Sequence, residues 1–304
     1  MPIRIDDELP AKHSLEQENV FVMSKKRADK QDIRPLKIII LNLMPTKIVT
    51  ETQLLRLLSN SPLQVTVDLL QVETHKSKTT SQEHMLKFYK TFKEVKHKKY
   101  DGMIITGAPL ANFKFEDVDF WQEFLEISKW AKTNVYSVLH ICWAAFAALY
   151  IKHGILPVNL PEKEFGVFPH RCLDTAHPLM RGLDDEFFVP HSREWAIDKN
   201  DIAKIKDLQI LSYSDMSGIH IISDMECRNF YITGHGEYDR DTLKNEYIRD
   251  LNKGLPIQKP YNYFPDDDPE REPKMNWKSA ANLIYSNWLN YFVYQKTPYD
   301  LNNL

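Results

Sequence analysis

The stretch SVLHICWAAFAALY, Ser137 to Tyr150, sets one cysteine between two apolar patterns. Up to Ile141 it reads as a buried strand, and from Trp143 to Tyr150 as a helix packed tightly against a neighbour. A thiol at such a junction has two readings. It is a small apolar side chain filling space, the usual role of a buried cysteine. Or it is a nucleophile aimed by a strand-to-helix turn, where free backbone N–H groups favour a thiolate and receive a developing oxyanion.

The same alternation extends on both sides. LKIIILNLM (Leu36–Met44), QVTVDLLQV (Gln64–Val72) and DGMIITGAP (Asp101–Pro109) are apolar runs of strand length, and the first and third read as buried on both faces. Leu54, Leu55, Leu57 and Leu58 mark a helix over Thr50–Ser59, a basic helical region follows the second strand, and Phe120, Phe124, Ile127 and Trp130 mark a helix over Val118–Ala131. Strands alternating with helices give an α/β fold, a mostly parallel sheet flanked by helices in three layers. In such sheets function gathers beyond the carboxyl ends of the strands, here at NLMPTK, TGAPLA and HICWA. Farther on, strands are expected at Leu208–Ser214, Gly218–Ser223 and Asn229–Asp239. A helix over Thr242–Lys253 is closed by Gly254, and a last helix runs from Asn276 to about Gln295. Residues 1–35 carry few strand or helix signals and read as an arm; residues 36–304 form the core of one domain spanning 1–304.

The chain of 304 residues is 43% hydrophobic and 27% charged with net charge −3, which argues against nucleic acid as the main partner. Its lysine clusters, SKKRADK (Ser24–Lys30) and KEVKHKKY (Lys93–Tyr100), read as solvated faces ahead of a phosphate-binding patch. Cys142, Cys172 and Cys227 are too few and too scattered for a disulfide framework or a zinc site. The N-terminus lacks an apolar signal core and no run is long enough to span a membrane, so a cytoplasmic location is expected.

A nucleophile needs a base, and the base an orienting group. ITGHGEYD offers His235 and Glu237 just past a strand, where residues two apart on extended chain share a side. Gly234 and Gly236 permit a close turn beside a substrate. The remaining histidines are scattered without metal-ligand spacing, and neither a P-loop nor a dinucleotide fingerprint occurs, so no metal and no cofactor is expected.

A cysteine elbow with a late H-x-E resembles the class I glutamine amidotransferase-like (flavodoxin-like) fold. Flanking segments narrow the likeness: MPIRIDDELPA, RPLKIIILNLMP, LLRLLSNSPLQV, ITGAPL, ICWAA, PHSR, TGHGEYD, PYNYFP and NWLNYFVYQKTPYDL together resemble the homoserine O-acyltransferases that use a catalytic cysteine. The resemblance implies acyl transfer from acyl-CoA to the hydroxyl of L-homoserine, the first committed step of methionine biosynthesis, in a homodimer. It makes Cys142 the acyl carrier, His235 the base and Glu237 its orienting group. Backbone N–H groups of Trp143 and of the turn after Gly107 would form the oxyanion hole. Lys163, Ser192 and Arg249 would bind homoserine, and Lys47 is a weaker candidate on the acyl-CoA side. Position 111 would sort donors, glutamate going with acetyl and glycine with succinyl. Ala111 is neither; a small neutral residue admits succinate, acetyl needs no carboxylate partner, Phe113 can fill the space, and the balance leans to acetyl. Alternatives are a serine O-acyltransferase of the same fold, an amidotransferase-like hydrolase, or a binding protein that has lost catalysis. The flanks His140 and Ala144, in place of the glycines of amidotransferase elbows, count against the hydrolase.

Overall fold

The structure is a computed structural model, and it describes residues 3–6, 8–18, 22–23, 34–75 and 79–304. Twelve strands form one sheet among the described residues: β1 (Ile3–Arg4), β2 (Val22–Met23), β3 (Leu36–Leu41), β4 (Val65–Leu70), β5 (Tyr89–Lys90), β6 (Tyr100–Ile105), β7 (Val135–Ile141), β8 (Val158–Cys172), β9 (Glu186–Ala196), β10 (Leu208–Ser214), β11 (Gly218–Asp224) and β12 (Asn229–Ile232). Their spatial order is β2-β1-β4-β3-β6-β7-β12-β11-β10-β8-β9, with β5 also paired to β4. Pairing is parallel from β2 across to β12, and antiparallel from β12 through β11, β10 and β8 to β9. The sheet is therefore mostly parallel at its centre, with an antiparallel flank.

The parallel strands read as continuous apolar runs because both faces are covered: Ile38, Ile39, Ile40 and Leu41 are all buried. On one face lie helices α1 (Pro10–Gln17), α2 (Lys47–Ser59) and α7 (Lys278–Asn287), sharing a core with Leu54, Leu55, Ile284 and Trp288. On the other lie α4 (Trp121–Asn134) and α5 (Trp143–His153), whose Phe124, Ile127, Ala144 and Ala147 pack against Met103 and Tyr231. Between them in sequence comes α3 (Gln82–Phe88), and α6 (Thr242–Asn252) follows the last strand. The alanines of α5 are all buried, which lets that helix start close against the sheet.

Three expectations change. Residues 1–35 are more than an arm: β1 pairs with β4, and α1 buries Ala11 and Leu15. Two-residue strands are too short to show a period, and α1 has just those two buried side chains among its polar ones. The long β8–β9 hairpin has no counterpart in the sequence reading, because its polar and apolar residues alternate irregularly across a break in pairing between Asn159 and Glu164. And β12 ends at Ile232, so His235 and Glu237 lie in a turn rather than on extended chain. The lysine cluster Ser24–Lys30 lies outside the described residues. In the other cluster, Lys98 pairs with Asp68 and Lys93 with Glu73, as expected of a solvated face.

Candidate active site

Cys142 caps the N-terminus of α5 with φ 49° and ψ −115°, a strained conformation for a non-glycine residue. Backbone hydrogen bonds hold it there. Its N–H donates to the Ile232 carbonyl at 2.7 Å, and its own carbonyl accepts from Ala145 N–H at 2.8 Å. Strand β7 thus enters the turn locked to β12 while the helix begins immediately beyond, so the thiol stands at the carboxyl edge of the sheet. The N–H of Trp143 opens that helix, and first-turn donors have no partner within it.

The turn after β12 brings the base to the thiol. His235 is buried; its backbone N–H donates to the Pro190 carbonyl at 2.8 Å. Its Nδ1 lies 2.7 Å from Glu237 Oε1, which leaves Nε2 for the thiol. The Tyr238 ring stacks on the imidazole at 4.2 Å between centroids, and the Trp277 indole N–H donates to the Tyr238 carbonyl. Burial by itself would keep the imidazole neutral, but the Glu237 carboxylate and the Cys142 thiolate outweigh it and push His235 up to about 10. The arrangement favours a charged imidazole beside Cys142.

Gly107, just past β6, faces this pair. A Cβ there would lie 3.1 Å from Cys142 Cβ and 3.4 Å from His235 Cε1, so any side chain would crowd the space over the thiol. Gly234 and Gly236 serve differently from the expectation. A Cβ on Gly234 would meet Val189 at 2.5 Å and His191 at 2.9 Å, and one on Gly236 would meet Ala281 at 3.0 Å. They are small so that the turn can pack against protein.

Lys163, Ser192 and Arg249, far apart in sequence, converge on one carboxylate that sequence reading missed. Lys163 Nζ lies 2.8 Å from Glu246 Oε1, Ser192 Oγ donates to Glu246 Oε2 at 2.9 Å, and Arg249 Nη2 lies 3.3 Å from Glu246 Oε1. Glu246 and Arg249 are three apart on α6, a spacing that puts them on one face and was the available signal. Arg249 also donates to both oxygens of Asp250, and this pairing, more than its partial burial, keeps it charged. Tyr238 links the two halves. Burial first, then the nearby Glu246, Glu237 and Cys142 charges hold its hydroxyl protonated well above the usual range.

Lys47 is not a free rim cation. It is buried, donates to the Asn42 carbonyl, and is pushed down to about 8 by burial, against the pull of Glu51. It lines a cavity of about 280 Å³ with Met44, Pro45, His75, Ala108 and Leu110, beginning one residue past Gly107. Ala111 is partly buried against the apolar cluster that contains Trp143. Phe113, expected to fill space there, is 51% exposed. Among the described residues no group of three His, Cys, Asp or Glu is arranged to hold a metal, and no helix is long and apolar enough to cross a membrane.

Comparison with known proteins identifies the fold and the family. A glutamine amidotransferase from Thermotoga maritima superposes with a TM-score of 0.53 over 84% of this chain and 98% of its own, at 12% identity, a likeness of fold alone. The homoserine O-acetyltransferase of Acetivibrio thermocellus is 56% identical over the whole of both chains. That of Brevibacillus brevis is 55% identical over 100% of this chain and 99% of its own. The family model described as homoserine O-succinyltransferase matches residues 2–299. The chain belongs to the homoserine O-succinyltransferase family, built on a class I glutamine amidotransferase-like fold.

Proposed function

We propose that this protein transfers an acyl group from acyl-CoA to the hydroxyl of L-homoserine through a thioester on Cys142, opening methionine biosynthesis. The observation that carries the reading is the strained Cys142 at the head of α5, with His235 and Glu237 hydrogen-bonded at 2.7 Å beside it. In the first half-reaction the Cys142 thiolate attacks the acyl-CoA carbonyl. The oxyanion is met by N–H groups of Trp143 and of the turn after Gly107, and the departing CoA sulfur takes the proton held by His235. In the second, neutral His235 Nε2 takes the homoserine hydroxyl proton as the oxygen attacks the thioester, and collapse expels the Cys142 thiolate. Glu237 holds the imidazole by Nδ1 throughout.

The acceptor is an amino-acid zwitterion, and the cluster on Glu246 offers both signs of charge. Glu246, with Ser192, suits the ammonium; Lys163 and Arg249 suit the carboxylate, Arg249 by its planar fork. The cavity between Lys47 and Leu110 suits the narrow, mostly apolar arm of the donor. Acetyl-CoA is the donor favoured here: relatives at 53–56% identity over nearly their full lengths are named acetyltransferases. Ala111 places no carboxylate partner at the sorting position. The test is CoA release with acetyl-CoA against succinyl-CoA, and with homoserine against serine. Acetyl-CoA with homoserine is expected to give the highest kcat/KM. Preference for serine overturns the acceptor, and preference for succinyl-CoA overturns the donor. Ala111→Glu should raise acetyl preference further; an unchanged ratio would remove residue 111 from specificity.

A further inference from the structure

Behind the turn that carries His235 lies a buried cation. Arg193, on β9, is 4% exposed, and each of its nitrogens is used. Nε donates to His191 Nδ1 at 3.1 Å, Nη1 donates to the Trp195 carbonyl, and Nη2 donates to the Ser217 carbonyl and lies 2.6 Å from Glu164 Oε2. Burial opposes the guanidinium charge, while Glu164 and Cys142 favour it. A buried charge of this kind needs a reason, since well-packed apolar residues would serve folding as well.

Its contacts run in two directions. The first is toward the acceptor cluster. Pairing of β8 with β9 breaks after Asn159↔Trp195 and resumes at Glu164↔Arg193, followed by Phe165↔Ser192. Lys163 therefore comes from the unpaired stretch, and the Glu164–Arg193 pair is the first register point that fixes it. Ser192 is the neighbour of Arg193. Both residues that reach Glu246 from this hairpin thus flank the Glu164–Arg193 contact, where the guanidinium opposes the burial that pushes Glu164 up to about 7.

The second direction is toward the base. Because His191 Nδ1 accepts from Arg193, the ring carries its proton on Nε2, which lies 2.9 Å from His170 Nε2 as donor to acceptor. The oriented His191 ring forms the wall against which Gly234 packs, with 2.9 Å to a Cβ there. The adjacent Pro190 carbonyl receives the His235 N–H. A guanidinium that sets His191 therefore sets the shelf under His235.

We propose that Arg193 is a positioning residue for the reaction, a buried guanidinium that clamps Glu164 and His191 and so holds the acceptor side chains Lys163 and Ser192 in fixed relation to the turn bearing His235. The inference rests on the function proposed above. The test compares wild type with Arg193→Met and Arg193→Lys, folded fraction being measured by near-UV circular dichroism. Two rates are read: the burst of CoA release without homoserine, and KM for homoserine at steady state. In folded Arg193→Met the burst should slow about 10-fold and KM rise about 10-fold, as small displacements of reacting groups cost this much or more. Arg193→Lys, which keeps charge without the fork, should recover part of both; a change in either parameter at constant folded fraction supports the proposal. Burst rate and KM within threefold of wild type in folded Arg193→Met overturn it, as do losses that merely scale with unfolded protein. Should Arg193→Met fail to fold, Glu164→Gln decides: a rise in homoserine KM of about 10-fold supports the clamp, and an unchanged KM overturns it. Failure of the underlying function is separate, since wild type itself would then release no CoA.

Discussion

At residue scale the site is a set of local sacrifices. Cys142 accepts a positive φ because the β7–β12 ladder and the start of α5 over-determine its backbone, and the strain aims the thiol. Among the described residues Glu237 is hydrogen-bonded to His235, and it should matter through orientation. Glu237→Gln is expected to keep the fold and cut kcat roughly 1000-fold, by steady-state assay. The pair also has a pH signature. His235 binds its proton more tightly in the fold than its ordinary 6.5, with a folded value of about 10. Its contribution to stability is therefore complete below about 6.5 and is lost as pH rises through about 10. Urea unfolding should show wild type losing stability across that window more steeply than Glu237→Gln; parallel curves would contradict the assignment. The thiol, base and orienting group were legible in the sequence because a strand-to-helix cysteine and an H-x-E are local patterns. Glu246, Tyr238 and Arg193 were not: beyond such local spacings as Glu246 to Arg249, their roles depend on Lys163, Cys142 and Glu164, which are distant in the chain.

At the scale of elements, the antiparallel flank is where sequence and structure part. The central strands β3, β6 and β7 declare themselves as apolar runs, because burial on both faces leaves no alternation to interpret. The β8–β9 hairpin does not, because its length is divided by an irregular register and its inward residues include His170, His191 and Arg193. These polar residues give the flank an acid-sensitive core. Burial first, and the nearby Arg193 charge as well, hold His191 and His220 well below the usual range and push His170 down to about 3. The sign follows: stability from keeping these imidazoles neutral is present above about 6.5 and is lost as pH falls toward the folded values. Each such histidine adds up to about 1.4 kcal/mol per pH unit to the loss. Wild type should therefore unfold at lower urea concentration on going from pH 7 to pH 5, and His170→Asn should flatten that dependence. An equal slope in both proteins would remove the cluster from the acid response.

For the whole molecule, both ends of the chain are tied to the central sheet. The N-terminal β1 extends it beside β4, and the C-terminal helix places Trp288 against its middle. Gly102 in β6 is bare so that Trp288 can approach, a Cβ there lying 2.9 Å from the indole, and the Trp288 N–H donates to Ser137 Oγ at 2.9 Å. Trp288→Ala should cost about 4 kcal/mol, read by chemical denaturation, because the cavity lies at the centre of the sheet. A cost below about 1 kcal/mol would mean that the last helix docks weakly. Such docking braces the starts of β6 and β7, the strands that lead to Gly107 and Cys142. The central claim is that Cys142 carries the acyl group between two substrates, and intact-protein mass spectrometry with acetyl-CoA alone tests it most directly. The account predicts a mass gain of one acetyl group, mapped to Cys142, absent in Cys142→Ala and discharged on adding homoserine. Full turnover by Cys142→Ala, or an adduct on another residue that homoserine discharges, would contradict it.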